Sequence, residues 1–144
     1  MQPLMQSIPT PTPAPAPIPD ISTLGQVFTP EPVVRCMLRL RQNAGRALEP
    51  SCGDGAFLTH LHNAVGIELD ARQSPPGALN MDFFAYPESE KFDSVIGNPP
   101  YVRYQDISPA TRALLRQDGF DGRSNLYLFF IEKCVRHLAP GGEL

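Results

Sequence analysis

No stretch of this 144-residue chain is apolar for long enough to span a bilayer. A membrane-embedded protein is therefore not expected. Cysteine is scarce: Cys36, Cys52 and Cys134 are odd in number and form no C-x-x-C pair. That excludes a disulfide framework and gives no zinc-ligand spacing, and a reduced, cytoplasmic setting fits. Excess positive charge is also missing. The formal net charge of −3 argues against a domain that grips phosphates over its whole surface. If nucleic acid is the partner, the main basic surface lies elsewhere. There is no G-x-G-x-x-G, which weakens an ordinary dinucleotide-binding dehydrogenase. His60, His62 and His137 form no evident pairing with serine or cysteine, and no metal ligand set is expected.

The first residues lack charge until Asp20, and prolines recur at alternate positions from Pro9 to Pro19. Such a segment is extended and polyproline-like, and it has no basic region followed by an apolar one to make a secretory signal. Residues 1–22 are assigned as a Pro-rich tail, and residues 23–144 as one α/β unit. Order is expected from Gly25-Gln26-Val27-Phe28-Thr29-Pro30. Thr29 suits an N-cap, Pro30 the first helical position and Glu31 the first turn. Val33, Val34, Met37 and Leu38 then share one helical face.

A short strand through Ala47-Leu48-Glu49 runs into Pro50-Ser51-Cys52-Gly53-Asp54-Gly55, followed by a helix predicted through Leu61. Gly53 and Gly55 permit positive φ and close approach of backbone to a ligand. Glu49 beside that loop disfavours a pyrophosphate but suits a cationic ligand bearing sulfonium or ammonium groups. The second strand, Ala64 to Asp70, brings Glu68 to its end, where an acid commonly accepts hydrogen bonds from ribose hydroxyls. Asp70 reads as a cap for the following turn. A third strand is predicted over Ala78–Phe84. Its Asp82 is suited to bond an adenine amine while Phe83 packs on the ring; a core strand ending in a cap is the plainer reading.

The organising stretch is Phe92-Asp93-Ser94-Val95-Ile96-Gly97-Asn98-Pro99-Pro100-Tyr101. Two prolines cannot continue in a sheet, so a buried strand delivers Asn98 and Tyr101 on a stiff elbow at its carboxyl end. The Asn98 oxygen and the Pro99 carbonyl could both accept hydrogens from a planar amine, with Tyr101 stacked on the attached ring. The alternatives are a Pro-rich turn or an Asn-Pro-x-Tyr peptide ligand. Beyond it, Val102 to Asn125 reads as a lid or a surface excursion, with a short helix from Ser108-Pro109 through Gln117. A helix from Leu126 to about Leu138 is ended by Ala139-Pro140-Gly141-Gly142, and Glu143-Leu144 is read as the start of another strand.

These motifs in this order resemble the S-adenosylmethionine-dependent N6-adenine DNA methyltransferases of the gamma arrangement, over Gly25 to Leu144. The resemblance rests on Gly-Gln-Val-Phe-Thr-Pro, Glu-Pro-Ser-Cys-Gly-Asp-Gly, Gly-Ile-Glu-Leu-Asp, Asp-Phe-Phe, Asn-Pro-Pro-Tyr, and Asn-Leu-Tyr followed by Leu-Ala-Pro-Gly-Gly. It implies a Rossmann-like methyltransferase fold without its C-terminal strands and target-recognition region, and S-adenosylmethionine as cofactor. It implies that Thr29, Glu49, Pro50, Ser51 and Cys52, with the Gly53 and Gly55 loop, contact the methionine end. Glu68 would hold the ribose, and Asp82 and Phe83 the adenine. Pro100 would lie near the transferable methyl, and Asn98 with Pro99 would bind the target N6 amine. Tyr101 would stack on an adenine flipped from duplex DNA. A missing recognition region, or a partner chain completing the sheet, would supply further DNA contacts. The same Asn-Pro-Pro-Tyr chemistry serves protein-glutamine and RNA methyltransferases. A non-catalytic cofactor-binding fragment with a docking tail is the rival from another class.

Overall fold

The computed structural model describes residues 25–116 and 121–144. The Pro-rich tail and the expected helix end at Gln117 lie outside the described residues. Helix α1 spans Glu31–Leu40, with Pro32 in its first turn. It begins one residue later than the sequence suggests. Pro30, in extended backbone, is the N-cap, and its carbonyl accepts from the amides of Val33 and Val34 at 2.8 and 3.1 Å. Thr29 therefore does not cap the helix. The expected apolar face is also narrower, since only Val34 is buried and Val33 is 46 % exposed.

Five parallel strands follow: β1 (Ala47–Glu49), β2 (Ala64–Glu68), β3 (Leu79–Asn80), β4 (Phe92–Val95) and β5 (Leu138–Glu143). Their order in the sheet is β3-β2-β1-β4-β5. β1 pairs with β2 through Leu48 and Val65 and with β4 through Leu48 and Val95, so it is central and wholly buried. A central parallel strand is covered on both faces, which is why its residues show no polar–apolar alternation.

The connections are shorter than the sequence implied. The helix expected through Leu61 is a single 3₁₀ turn, Leu58–His60, because the chain must already return to sheet register where the Asn63 carbonyl meets the Ala47 amide at 2.8 Å. Gly66 on β2 makes room for this turn. A Cβ there would sit 2.2 Å from Leu58 Cδ1. The third strand is two residues long, and the predicted remainder is a 3₁₀ turn, Phe83–Ala85, capped by Asp82 through the Phe84 amide at 2.9 Å. At the far edge Ala139-Pro140-Gly141-Gly142 does not merely end a helix: it lies within β5, which pairs with β4 across a bulge.

Two more helices complete the chain, α2 (Pro109–Leu114) and α3 (Leu126–Arg136). The core packs Phe130 and Cys134 of α3, with Phe83 and Tyr86, onto Leu48, Ile67, Phe92 and Val95 of the sheet. Full burial of one such ring contributes roughly 1.5–3 kcal/mol. Lys133 is buried with them, yet its ammonium donates to the Phe84 and Tyr86 carbonyls at 2.7 and 2.9 Å. Burial lowers its pKa. This bond pair ties the 3₁₀ turn bearing Asp82 to α3.

Candidate functional site

Strand order reverses between β1 and β4: from β1 the chain adds β2 and β3 on one side, then returns to add β4 and β5 on the other. In open α/β sheets the crevice outside the carboxyl ends at such a point receives ligands. Here it holds a cavity of about 160 Å³, opening onto a recess of about 30 Å³. The loops after β1, β2, β3 and β4 all contribute walls, together with the segment 25–28 that crosses in front of them.

The acidic side of the cavity is built on Glu68, which is 5 % exposed at the end of β2. Its carboxylate accepts from the Gly53 amide and the Asp70 amide, both at 2.8 Å, and from Gln26 Nε2 at 3.3 Å. It is thus an anchored acceptor rather than a solvated strand-end charge. Gly53, at φ +52°, turns its amide toward this carboxylate in a backbone region that favours glycine. Gly55 at φ +86° is a turn glycine packed near Pro75 and lines neither cavity nor recess. Asp70 caps the next turn as expected, accepting from the Arg72 amide at 3.0 Å.

Glu49 lines the recess with Thr29, Cys52 and Asp54. It is 2 % exposed, and its Oε2 is buried with no hydrogen-bond partner. Burial pushes its carboxyl up to about 8, with Asp54 and Glu68 adding to the rise, against backbone bonds from Leu58 and Phe57. Burial, then the neighbouring Glu49 and Glu68, push the Cys52 thiol up to about 12, so it is inert at neutral pH. A buried oxygen without a donor, in a recess lined by acids, is chemically matched to a cation.

Asp82 also lines the cavity. Its neighbour Phe83 does not. That ring is 4 % exposed and packs in the core against Phe130 at 4.8 Å between centroids. Phe84, two residues on from Asp82, faces the cavity instead, and the 3₁₀ turn that Asp82 caps turns Phe83 into the core. Val102, Ile107, Leu126 and Phe130 complete the apolar wall. Val102 and Ile107, from the segment after the elbow, thus join Leu126 in a second buried cluster, while most of the other described residues of that segment stay exposed. Helical spacing marked Phe130 as buried but not as a site residue, Gln26 and Phe84 stood in resemblance motifs without an assigned role, and no sequence signal marked Thr111.

Asn98 borders both cavity and recess. Its backbone carbonyl accepts from Ser51 Oγ at 3.0 Å, and its Nδ2 donates to the Val27 carbonyl at 3.4 Å. With Nδ2 committed to Val27, the side-chain oxygen is the acceptor that the amide keeps at this border. Pro100 and Ser51 also line the cavity; Pro99 does not. Tyr101 is 62 % exposed outside it, its ring 6.2 Å from that of Tyr127, and its amide donates to the Gly25 carbonyl at 3.3 Å. Gly25 is required there. At φ +64°, a Cβ would lie 2.8 Å from the Tyr101 backbone.

Residues 57–144 match the family model described as Eco57I restriction-modification methylase. A Type II methyltransferase, M.TthHB8I, from Thermus thermophilus is 38 % identical over 144 residues, covering 85 % of this chain and 34 % of that protein. M.HincII of Haemophilus influenzae, also a Type II methyltransferase, is 34 % identical over 135 residues, covering 85 % of this chain and 27 % of its own length. The chain thus spans about a third or less of these curated relatives. Among solved structures, a protein from Listeria monocytogenes assigned to the class I S-adenosylmethionine-dependent methyltransferases superposes with a TM-score of 0.61 at 23 % identity. It covers 80 % of this chain, which in turn covers 44 % of it. A protein from Vibrio vulnificus assigned as the modification subunit of a type I restriction enzyme gives 0.59 at 19 % identity, over 78 % of this chain and 31 % of its own. The fold is the Rossmann-like fold of class I methyltransferases, and the chain belongs to the Eco57I restriction-modification methylase family.

Proposed function

We propose that this chain carries the cofactor and target-amine sites of a DNA methyltransferase of restriction-modification type, acting on N6 of adenine. The observation that supports this most directly is the joining of Asn98, on its double-proline elbow, to an acid-lined cavity at the sheet's switch point. The residues fit S-adenosylmethionine. Glu49, with its unpartnered buried oxygen, would take the ammonium group; Glu68 the ribose; and Asp82 the adenine amine between apolar walls. Bound there, S-adenosylmethionine supplies an electrophilic methyl group.

The chain's own residues do the rest. The lone pair of an exocyclic amine is delocalised into its ring and is a poor nucleophile. The Asn98 oxygen and the Pro99 carbonyl accept its hydrogens, favour a more tetrahedral nitrogen and stabilise the positive charge that develops there. Pro99 and Pro100 fix the spacing of those acceptors, so the contribution is largely one of positioning. Tyr101, exposed at the rim, offers its face to a flipped base. DNA contacts beyond the base would come from a recognition region or partner chain. The reading is of a cytoplasmic enzyme; among the described residues no helix is long and apolar enough to cross a membrane.

Two measurements test the proposal. One is calorimetric titration of the chain with S-adenosylmethionine. The other is mass spectrometry of duplex DNA after incubation with labelled cofactor and a recognition polypeptide. Cofactor binding with label on adenine N6 is expected. Label on cytosine N4, or on glutamine of an added protein, moves the substrate while keeping the elbow chemistry. Binding without any transfer favours the non-catalytic reading. Folded chain that binds no cofactor overturns both.

A further inference from the structure

Asp82 is held by more than its cap. Its Oδ1 accepts from the Phe84 amide at 2.9 Å, and its Oδ2 accepts from the Thr111 hydroxyl at 2.6 Å. Thr111 is on α2 and is 7 % exposed. Its hydroxyl in turn accepts from Ser108 Oγ at 3.0 Å, while Ser108 Oγ accepts from the Thr111 amide at 3.1 Å. The proton directions are forced. Ser108 spends a lone pair on the amide and donates its proton to Thr111. The single hydroxyl proton of Thr111 is then directed at Asp82.

Both carboxylate oxygens are thus pinned by donors, one backbone and one hydroxyl, and the plane of the group is fixed. What the cavity sees is the remaining lone pairs, with Phe84, Ile107 and Phe130 around them. A carboxylate free to rotate could meet a ligand donor or turn away from a ligand acceptor. One pinned on both oxygens can do only the former. We propose that Thr111, backed by Ser108, is a positioning residue that makes Asp82 select a purine bearing an exocyclic amine over one bearing a carbonyl. The proposal rests on the reading that a purine amine meets Asp82.

The plainer role for this chain of hydroxyls is a latch tying α2 to the turn after β3. A latch would affect any ligand alike, so selectivity and not affinity is the informative quantity. The test measures dissociation constants for S-adenosylhomocysteine and for S-inosylhomocysteine, whose six-position is a carbonyl, in wild type, Thr111→Ser and Thr111→Val. Wild type and Thr111→Ser are expected to prefer the amine strongly and equally. Thr111→Val is expected to lose about tenfold of that preference, the scale of one hydrogen bond to a charged group. A ratio taken within one protein is insensitive to a partly unfolded fraction. If Thr111→Val does not fold, Ser108→Ala carries the test, with a severalfold loss expected. An unchanged ratio in the folded variants, whatever the common loss of affinity, overturns the proposal and leaves a latch. If wild type itself does not distinguish the two ligands, the assignment of the purine amine to Asp82 fails, and the role of Thr111 fails with it.

Discussion

Replacing Glu49 by Gln separates charge from shape at the recess. In the folded chain the Glu49 carboxyl titrates near 8, against an ordinary value of 4.5. At pH 7 about one-tenth of molecules then carry the charged form, at pH 6 about one-hundredth and at pH 8 about half. If the charged form is the one that binds an ammonium, apparent affinity is scaled by that fraction. The dissociation constant for S-adenosylmethionine should fall about tenfold from pH 6 to 7 and roughly fivefold more to pH 8. Each binding event near neutral pH should release close to one proton. Calorimetry in two buffers of different ionisation enthalpy reads that proton directly. Glu49→Gln should bind more weakly at pH 8 and show no proton release; its profile also subtracts any titration of the ligand.

Stability without ligand should move the other way. The folded pKa is raised, so between about 4.5 and 8 the native state holds a proton that the unfolded state has lost. Stability is then full below the unfolded value and declines as pH rises to the folded one, by at most about 4–5 kcal/mol. Cofactor should restore part of this at pH 8, and Glu49→Gln should flatten the unliganded melting profile. A wild-type dissociation constant that stays level from pH 6 to 8, without proton uptake or release, would refute the reasoning. Glu49 would then be ionised already or remote from the ligand's charge.

Asn98→Ala should leave cofactor affinity within about twofold yet cut the methyl-transfer rate on the order of 10²–10³-fold, the usual scale for removing one acceptor or donor from a developing charge; single-turnover kinetics with saturating cofactor check this. Glu68→Ala removes the partner of the Gly53 and Asp70 amides. It should abolish measurable cofactor binding and lower stability by about 1–3 kcal/mol, read by denaturant titration. Gly66→Ala should cost about 1–3 kcal/mol by driving a methyl into Leu58, and an unchanged melting temperature would mean that the 3₁₀ turn is free to shift.

Much of the site was legible because it is local. Two adjacent prolines after a strand dictate an elbow whatever the rest of the chain does, and Asn98 rides on it. Glu49 and Glu68 were legible for a similar reason, since both end strands that the apolar pattern delimits. What failed were readings that needed distances across the fold. Ala78–Phe84 alternates well enough for a strand, but the Asp82 side chain captures the Phe84 amide and turns the chain after two paired residues, and Phe83 goes to the core while Phe84 lines the cavity. The helix expected through Leu61 lost to the demands of register between Ala47 and Asn63. Ala-Pro-Gly-Gly reads as a terminator, yet pairing with β4 carries it through as a strand. Thr111 reaches the site from far along the chain, and nothing beside it in sequence announces it; Gln26 lies in the Gly-Gln-Val-Phe-Thr-Pro motif, but its contact with Glu68 spans 42 residues.

The segment before α1 has a kinetic consequence. Its three tethers, from the Gly25 carbonyl to the Tyr101 amide, the Val27 carbonyl to Asn98 and Gln26 to Glu68, measure 3.3, 3.4 and 3.3 Å. All are at the weak end of hydrogen-bond geometry. Each holds a separate group of the candidate site, so the strap aligns Asn98, Tyr101 and Glu68 at once. Releasing it would break only bonds of roughly 1 kcal/mol each, so exchange of a ligand past this strap is expected on the microsecond-to-millisecond scale of loop motion, which relaxation-dispersion measurements on Gln26 and Val27 would read.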